Sequence, residues 1–434
     1  MTSTAAPDRG TEQAVANLLV HLATPAGRAD PYPVYQALRR LGPVLPAPWG
    51  GALVTDHTHA KAVLADTSLW PVLTATWHDT HRPQWRENRA LRCIADSILL
   101  AAPEDHLRHR RAMGPRFAPR AAENYRPLIR AAVHRSWDAW QRHLDHNGTA
   151  DVVDLVARPV PAALLAALLG VPQQQATTWS RLGQQMVAAV DVMPSGIDLR
   201  AADTAARTLT ADLDALVRKR EAVPGEDLVS WCLAWNAGGL TLSRHEIVES
   251  VAALISAAGD TTTATLANIV LGLCRHPDQA DWLRDHPAHI PHAVEEFLRW
   301  DPATQATMRT AARTQSLAGT SLTQGDPVQV LVGSANRDPA LTPEPDALDL
   351  SREPVDHLAF AAGPHYCLGA ALARVQAAEF LTAALDRLSG IELAAPPTYP
   401  RRFAVRGPAA LVLARRHCPP GPGRAVRTNK RPRH

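Results

Sequence analysis

The chain has 434 residues, enough for one large domain or two to three ordinary ones. Its 46% hydrophobic and 20% charged residues exclude a disordered chain. A formal net charge of +3 is too small to argue for nucleic acid as a partner. The five cysteines (Cys93, Cys232, Cys274, Cys367 and Cys418) are scattered and odd in number. That argues against a disulfide framework or a zinc site and fits a reducing compartment. Met1 to Gly10 is polar and lacks the apolar core of a signal peptide. The longest apolar stretch, Val160 to Val171, falls short of the ~20 residues that cross a bilayer. A cytoplasmic protein with no membrane contact is expected.

Residues 1–26 read as a flexible leader with one short apolar segment, Ala14 to Ala23. Asp30-Pro31-Tyr32-Pro33 precedes a helical pattern through Leu38 and Leu41, Gly50 to Thr55 reads as a turn and short strand, and His57 to Ala65 as a helix. Trp70 to Leu99 has no clean period and reads as a surface loop pinned by Trp70, Trp77 and Trp85. Glu104 to Arg111 opens a helix, acids first and bases after, a run that is usually a solvated face. Residues 125–220 read as amphipathic helices with breaks at Asn147-Gly148, Gly170-Val171-Pro172 and Pro194-Ser195-Gly196.

Ser243 and Glu246 form a capping-box signature, and no proline follows until Pro277. At ~1.5 Å per residue this predicts a helix roughly 45 Å long, able to cross the whole molecule. Its middle, Val251 to Ala258, is apolar all round and therefore buried. Gly259-Asp260-Thr261-Thr262-Thr263 then puts an acid and poor helix formers at its centre, predicting a local distortion. Such a conflict with local rules tends to mark a functional site. Glu296 and Arg299 share one face of a later helix, as ordinary surface pairs do.

Phe360 to Gly369 reads F-A-A-G-P-H-Y-C-L-G, with Cys367 where a Gly-Pro-bearing loop enters the Ala- and Leu-rich helix from Ala370. A thiol there feels free backbone N–H groups and the positive end of a helix dipole. Both favour thiolate, the form that ligates metal. Cys418 to His434 is Pro-, Gly- and Arg-rich and reads as a disordered tail.

The F-x-x-G-x-H-x-C-x-G spacing resembles the heme-binding loop of the cytochrome P-450 family, in which the cysteine thiolate is the proximal iron ligand. Three other stretches keep the family's order: His106-x-x-x-Arg110, the oxygen-helix motif around Asp260 and Thr261, and Glu296-x-x-Arg299. The sequence departs from the family's commonest residues at Ala258, Ala361 and Gln376. Ala361 costs about 1 kcal/mol if its φ is positive. The resemblance implies one mostly helical α+β domain with small β sheets over 27–417, with heme between the long central helix and the helix after the cysteine loop. It implies a soluble bacterial heme-thiolate monooxygenase that activates O2 to hydroxylate or otherwise oxidise a small organic substrate, a specialised metabolite. An oxidative C–C or C–O coupling enzyme, or a non-catalytic helper, are the alternatives. It implies heme b with Cys367 as metal ligand, and NAD(P)H-derived electrons from a separate ferredoxin or flavodoxin and its reductase. His106, Arg110, Arg309 and His365 would hold the heme propionates, with Phe360, Gly363 and Gly369 completing the cofactor loop. Asp260 and Thr261 would deliver protons, and Glu296 and Arg299 would be a buried structural pair. Trp77, Ala253, Ser256, Ala257, Gln305, Ala306, Thr307 and Val405 are the implied substrate-pocket residues. Arg108, Arg111, Arg116 and Arg120 would lie near the electron-entry face.

Overall fold

The computed structural model describes residues 9–186, 189, 191 and 199–416. The tail expected at 418–434 and the break at 194–196 lie outside the described residues. The long apolar pattern forms one helix, Arg244–Arg275. Its capping box is made in full: the Ser243 side chain accepts from the Glu246 N–H, and the Glu246 carboxylate accepts from the Ser243 N–H at 2.8 Å. The helix stays regular through Gly259 to Thr263, contrary to the expected distortion. Thr261, Thr263 and Thr265 each donate a hydroxyl to the carbonyl four residues back, so they satisfy themselves inside the helix. Gly259 serves packing: a Cβ there would lie 2.6 Å from Ser180 Oγ, and one on Gly183 would lie 2.9 Å from Ser256 Cα. The Gln173–Met186 helix thereby crosses the central helix in close contact.

The Ala370–Arg387 helix packs on Arg126–Asn147 and Ile290–Trp300 and contacts the central helix. A four-stranded sheet flanks this helical core, in the order Val44–Pro46, Ala52–Val54, Pro327–Val330, Thr307–Thr310. Ala52–Val54 runs parallel to Pro327–Val330 in register Ala52↔Val328, and the other pairings are antiparallel. A three-stranded and a two-stranded sheet complete the α+β architecture.

Glu296 and Arg299 are buried, not on the surface. Arg299 donates to both Glu296 oxygens at 2.7 Å and to the carbonyls of Asn336, Pro345 and Ala347. The Asn336 side chain accepts from the Leu358 N–H at 2.7 Å, two residues before Phe360. A satisfied buried ion pair therefore anchors the segment that leads into the cysteine loop.

Two expectations are corrected. Part of the leader is ordered: Arg9–Leu22 is a helix that buries Val15, Leu19 and Leu22 against Tyr35 and Leu38. Trp70 to Leu99 contains the short helices Ala75–His81 and Arg89–Ala95, capped by Thr74 and Asn88. Segments this short carry too few residues to show a period, so caps and tertiary contacts define them. Among the described residues no single helix is long and apolar enough to cross a membrane.

Candidate active site

A cavity of about 380 Å³ lies between the central helix and the Ala370–Arg387 helix. The cysteine loop forms its floor. Gly363 takes φ +69°, and a Cβ there would meet Ala65 O at 2.6 Å, so only glycine fits. Gly363 thus shapes the loop without lining the cavity, whereas Phe360, His365, Cys367 and Gly369 line it. Ala361 does adopt positive φ, at 60°. The Cys367 N–H donates to Phe360 O at 2.9 Å, closing the loop over the helix start.

Cys367 is exposed, and its exposure is to this cavity. Burial pushes its thiol up, opposed by the Gly369 N–H and the positive charges of Arg110 and Arg374. The helix start therefore helps the thiolate, as the sequence suggested, but desolvation outweighs it in the protein alone. A metal ion at the sulfur favours thiolate outright.

Beside the cysteine lies a cluster of positive and protonatable groups. His106 and His365 stack with ring centroids 3.9 Å apart. Burial, with Arg110 and Arg309 adding to it, lowers His106 from 6.5 to about 4 and His365 to about 3. Arg110 donates to Tyr366 O at 2.8 Å and lines the cavity. Arg309 is 4% exposed and does not line it; its Nε is buried without a partner, and burial lowers its guanidinium to about 10. No carboxylate pairs with Arg110 or Arg309 among the described residues. Buried cations without counter-charges are costly, so the cluster is built for an anion.

Thr261 lines the cavity while Asp260 does not. Adjacent helical residues diverge by ~100°, and the regular helix preserves that divergence. Asp260 is 5% exposed and meets Arg402, whose Nη1 lies 2.7 Å from Oδ2. Ala258, where the resemblance expects glycine, also lines the wall.

Of the eight implied pocket residues, Ala257 and Thr307 line the cavity. The other six are corrected. Trp77 donates its indole N–H to Gly325 O at 2.7 Å and stacks on His81. Ala253 is fully buried in the central helix, and Ser256 donates to Gly183 O at 2.8 Å. Gln305 is spent on Tyr35 and Pro302, and Ala306 packs with Tyr35 and Leu331. Val405 packs on Ala264 and Ala303. Each falls a position or a helical face away from the wall, a difference that sequence order does not encode. The reading missed Leu164, Leu165 and Leu168 on Pro159–Leu169, together with Leu254 and Thr304. That Leu-rich helix showed only apolarity, which marks core and cavity wall alike.

Helices, small sheets and a cysteine facing an apolar cavity beside an anion-ready cluster define a heme-thiolate protein. The cytochrome P450 family profile matches residues 53–286 and 289–405, and the chain belongs to that family. It is 32% identical over 403 residues to the mycinamicin IV hydroxylase/epoxidase of Micromonospora griseorubida, covering 91% of this chain and 96% of that one. It is also 32% identical over 395 residues to the cytochrome P450 monooxygenase PikC of Streptomyces venezuelae, covering 89% and 91%. Among solved structures it resembles P450BioI in complex with a fatty-acyl-loaded acyl carrier protein, with TM-score 0.82 and 28% identity, covering 90% of this chain and 99% of that one. The family makes it a heme-iron monooxygenase with a cysteine thiolate ligand that uses O2 and electrons from redox partners to oxidise a small substrate. The residues present fit that cofactor. The unpaired Arg309 Nε and the acid-free cluster of His106, Arg110 and His365 suit two propionates, and Cys367 is the one cysteine in the cavity wall.

Proposed function

We propose that this monooxygenase oxidises a bulky, largely apolar specialised metabolite of the macrolide or acyl-chain type. The observation that carries this is the cavity wall. Away from the cluster reserved for the propionates, it is mostly leucine, isoleucine, valine and alanine, with five threonines (Thr261, Thr262, Thr265, Thr304 and Thr307) and Gln376 as polar handles and no charged side chain. Such a lining pays for desolvating apolar surface and cannot hold a charged substrate. Small Ala257 and Ala258 leave width along the central helix. The relatives support the class: a mycinamicin hydroxylase/epoxidase and a fatty-acyl carrier complex are both of this kind.

When bound, heme supplies O2 activation, and the thiolate of Cys367 favours O–O cleavage. The protein's own residues do the rest. His106, Arg110, Arg309 and His365 hold the propionates, while Phe360, Gly363 and Gly369 shape the loop. Thr261, on the cavity wall, presents the hydroxyl that passes a proton inward, and Asp260 supplies that proton from behind. Electrons come from a ferredoxin or flavodoxin. Two of the four arginines expected at that docking face are already committed. Arg108 bonds Glu246 and Asp105, and Arg116 bonds Glu226 O at 2.7 Å and lies over Trp231. Arg111 and Arg120 are exposed and are the two assigned to an acidic partner.

The test is optical titration of the ferric enzyme with macrolides, free fatty acids and carrier-bound acyl chains, followed by heavy-oxygen labelling of the product. Water displacement by at least one apolar class, with one labelled oxygen in the product, is expected. Tight response only to charged compounds overturns the substrate class, and an unlabelled product with newly joined rings indicates coupling instead.

A further inference from the structure

Arginine nitrogens without partners gather at one place behind the substrate cavity. A small cleft of about 20 Å³ lies between the short Pro25–Ala29 helix and the loop of residues 399–407. Arg28, Arg402 and Arg406 line it together with Tyr35, Tyr399 and Gln305, and no acid lines it among the described residues. The Nε atoms of all three arginines are buried without a hydrogen-bond partner. Arg406 is 7% exposed, so its spare donor is cut off from bulk water. Such donors are costly to bury unless something accepts from them.

Other nitrogens of each guanidinium are committed, which holds the three side chains in place. Arg28 donates Nη1 to Ala23 O, and Arg402 meets Asp260 through Nη1 at 2.7 Å. Arg406 holds Asp301 and donates Nη2 to Ala29 O at 2.9 Å and to the Tyr399 hydroxyl at 3.3 Å. Tyr399 accepts there, so its own O–H proton is free to be donated. Tyr35 is spent on Gln305 Oε1 at 3.0 Å. Two carboxylates therefore answer three guanidinium groups, and neither lines the cleft. Asp30, two residues after Arg28, is exposed and accepts from the Tyr32 N–H at 3.3 Å.

We propose that this cleft binds one small monatomic anion, chloride, which accepts from Arg28, Arg402 and Arg406 and locks the Pro25–Ala29 helix to the loop of residues 399–407. Hydrogen bonding sets what fills a site lined by donors. Water brings two protons that need acceptors of their own, and an arginine nitrogen can only donate. An anion brings acceptors alone and supplies the missing negative charge. The volume holds about one water-sized particle, too little to enclose phosphate or sulfate. The loop it would lock carries the cavity wall. The Gln305 N–H donates to Ala404 O at 2.9 Å and the Arg406 N–H to Ala303 O at 2.7 Å, and Ala303 and Thr304 line the cavity. The anion thus sits one layer behind the substrate, in a place that neither the cysteine loop nor the propionate cluster reaches.

The experiment takes the heme-loaded enzyme in sodium gluconate, an anion too large for the cleft, and replaces gluconate with chloride at constant ionic strength, so that screening does not change. Chlorine NMR line width reads binding directly. Broadening beyond that of free chloride is expected, saturating as chloride rises and competed away by bromide. At about 0.1 M chloride the melting temperature should stand about 1 °C or more above that in gluconate. Arg28→Gln, which touches neither Asp260 nor Asp301, should keep its heme and lose both the excess broadening and the chloride-dependent rise. Crystals grown in bromide give a check that needs no variant: an anomalous peak in the cleft. The proposal is overturned by an absence of saturable broadening, by equal melting in the two salts, by broadening retained in Arg28→Gln, or by a cleft without bromide. Saturation reached only near molar salt means an adventitious ion only and overturns it as well. If Arg28→Gln does not fold, the bromide peak decides.

Discussion

Two kinds of buried arginine are built on opposite terms. Arg299 and Arg406 are each paired with an acid: Arg299 holds Glu296 and three carbonyls, and Arg406 holds Asp301, although its Nε, like that of Arg309, is buried without a partner. Burial alone would lower Arg406, but Asp301 together with Tyr32 and Tyr399 raises it. Arg309 is as deeply buried, has no acid beside it, and is lowered to about 10 by burial alone. The acid-paired arginines close hydrogen bonds that hold the loop and the segment around Arg406 in place. Arg309, without an acid, is the one proposed to meet a propionate. Burial of an arginine is therefore not informative by itself; what pairs with it separates scaffold from site.

The largest expected effect tests that contrast. Arg299→Ala leaves Glu296 as an uncompensated buried charge, and a loss of about 3–5 kcal/mol is expected, enough to prevent recovery of folded protein. Arg309→Met should do the opposite to the heme-free protein, leaving its unfolding midpoint unchanged or raised, while heme occupancy at purification falls. Thermal melts of the heme-free forms beside heme quantitation decide it. Equal destabilisation by both substitutions would erase the distinction.

The next effect is catalytic and contrasts the two neighbours on the central helix. Thr261→Ala removes the hydroxyl from the cavity wall, and NAD(P)H consumption should continue with hydrogen peroxide released in place of product. Asp260→Asn should slow turnover roughly tenfold or more with the heme retained. Product and peroxide per NAD(P)H separate the two, and unchanged coupling in Thr261→Ala with full-rate Asp260→Asn would take proton delivery away from this pair.

A smaller effect concerns pH. His106 and His365 fall from 6.5 to about 4 and about 3 on folding, so the unfolded chain binds more protons than the folded one between those values. Stability from these groups is present above pH 6.5 and is lost as pH falls towards 4 and then 3. Propionates beside the rings favour the protonated imidazoles, so the heme-bound enzyme should lose less over that window. Melts of both forms from pH 7 to pH 4 would show parallel slopes if the rings do not face the propionates.

The smallest effect is in the cysteine loop. Ala361 has φ 60°, a conformation that disfavours a Cβ. Ala361→Gly should stabilise the protein by about 1 kcal/mol or less, the steric relief being partly offset by the greater freedom of glycine when unfolded. A lower melting temperature would mean that the Ala361 methyl, which packs against the hydrophobic cluster containing Leu358 and Trp70, contributes more than its strain costs.

Much of this was determined by sequence alone. The capping box at Ser243 and the long central helix follow from local rules, because caps and periodicity act over a few positions, whereas the role of the cysteine loop and the α+β class followed from the resemblance of the motifs to a known family. The strain at Ala361 was legible in the same way, from one residue standing where glycine is usual. Tertiary structure decided the rest. The Glu296–Arg299 spacing could not distinguish a surface pair from a buried one, since burial depends on the carbonyls of Asn336, Pro345 and Ala347. Gly259 looked like a helix breaker and is a contact point, because Ser180 on another helix occupies the space its side chain would take. Six of the eight expected pocket residues missed the wall: for Trp77, Ala253 and Ser256 a helix rotation of one position exchanges cavity for core, while Gln305, Ala306 and Val405 lie outside helices and are drawn into other contacts. Arg402 gave no sequence signal at all. Its meeting with Asp260 exists only because the loop before the Val412–Arg415 strand folds back onto the middle of the central helix, a contact between residues that share no local pattern.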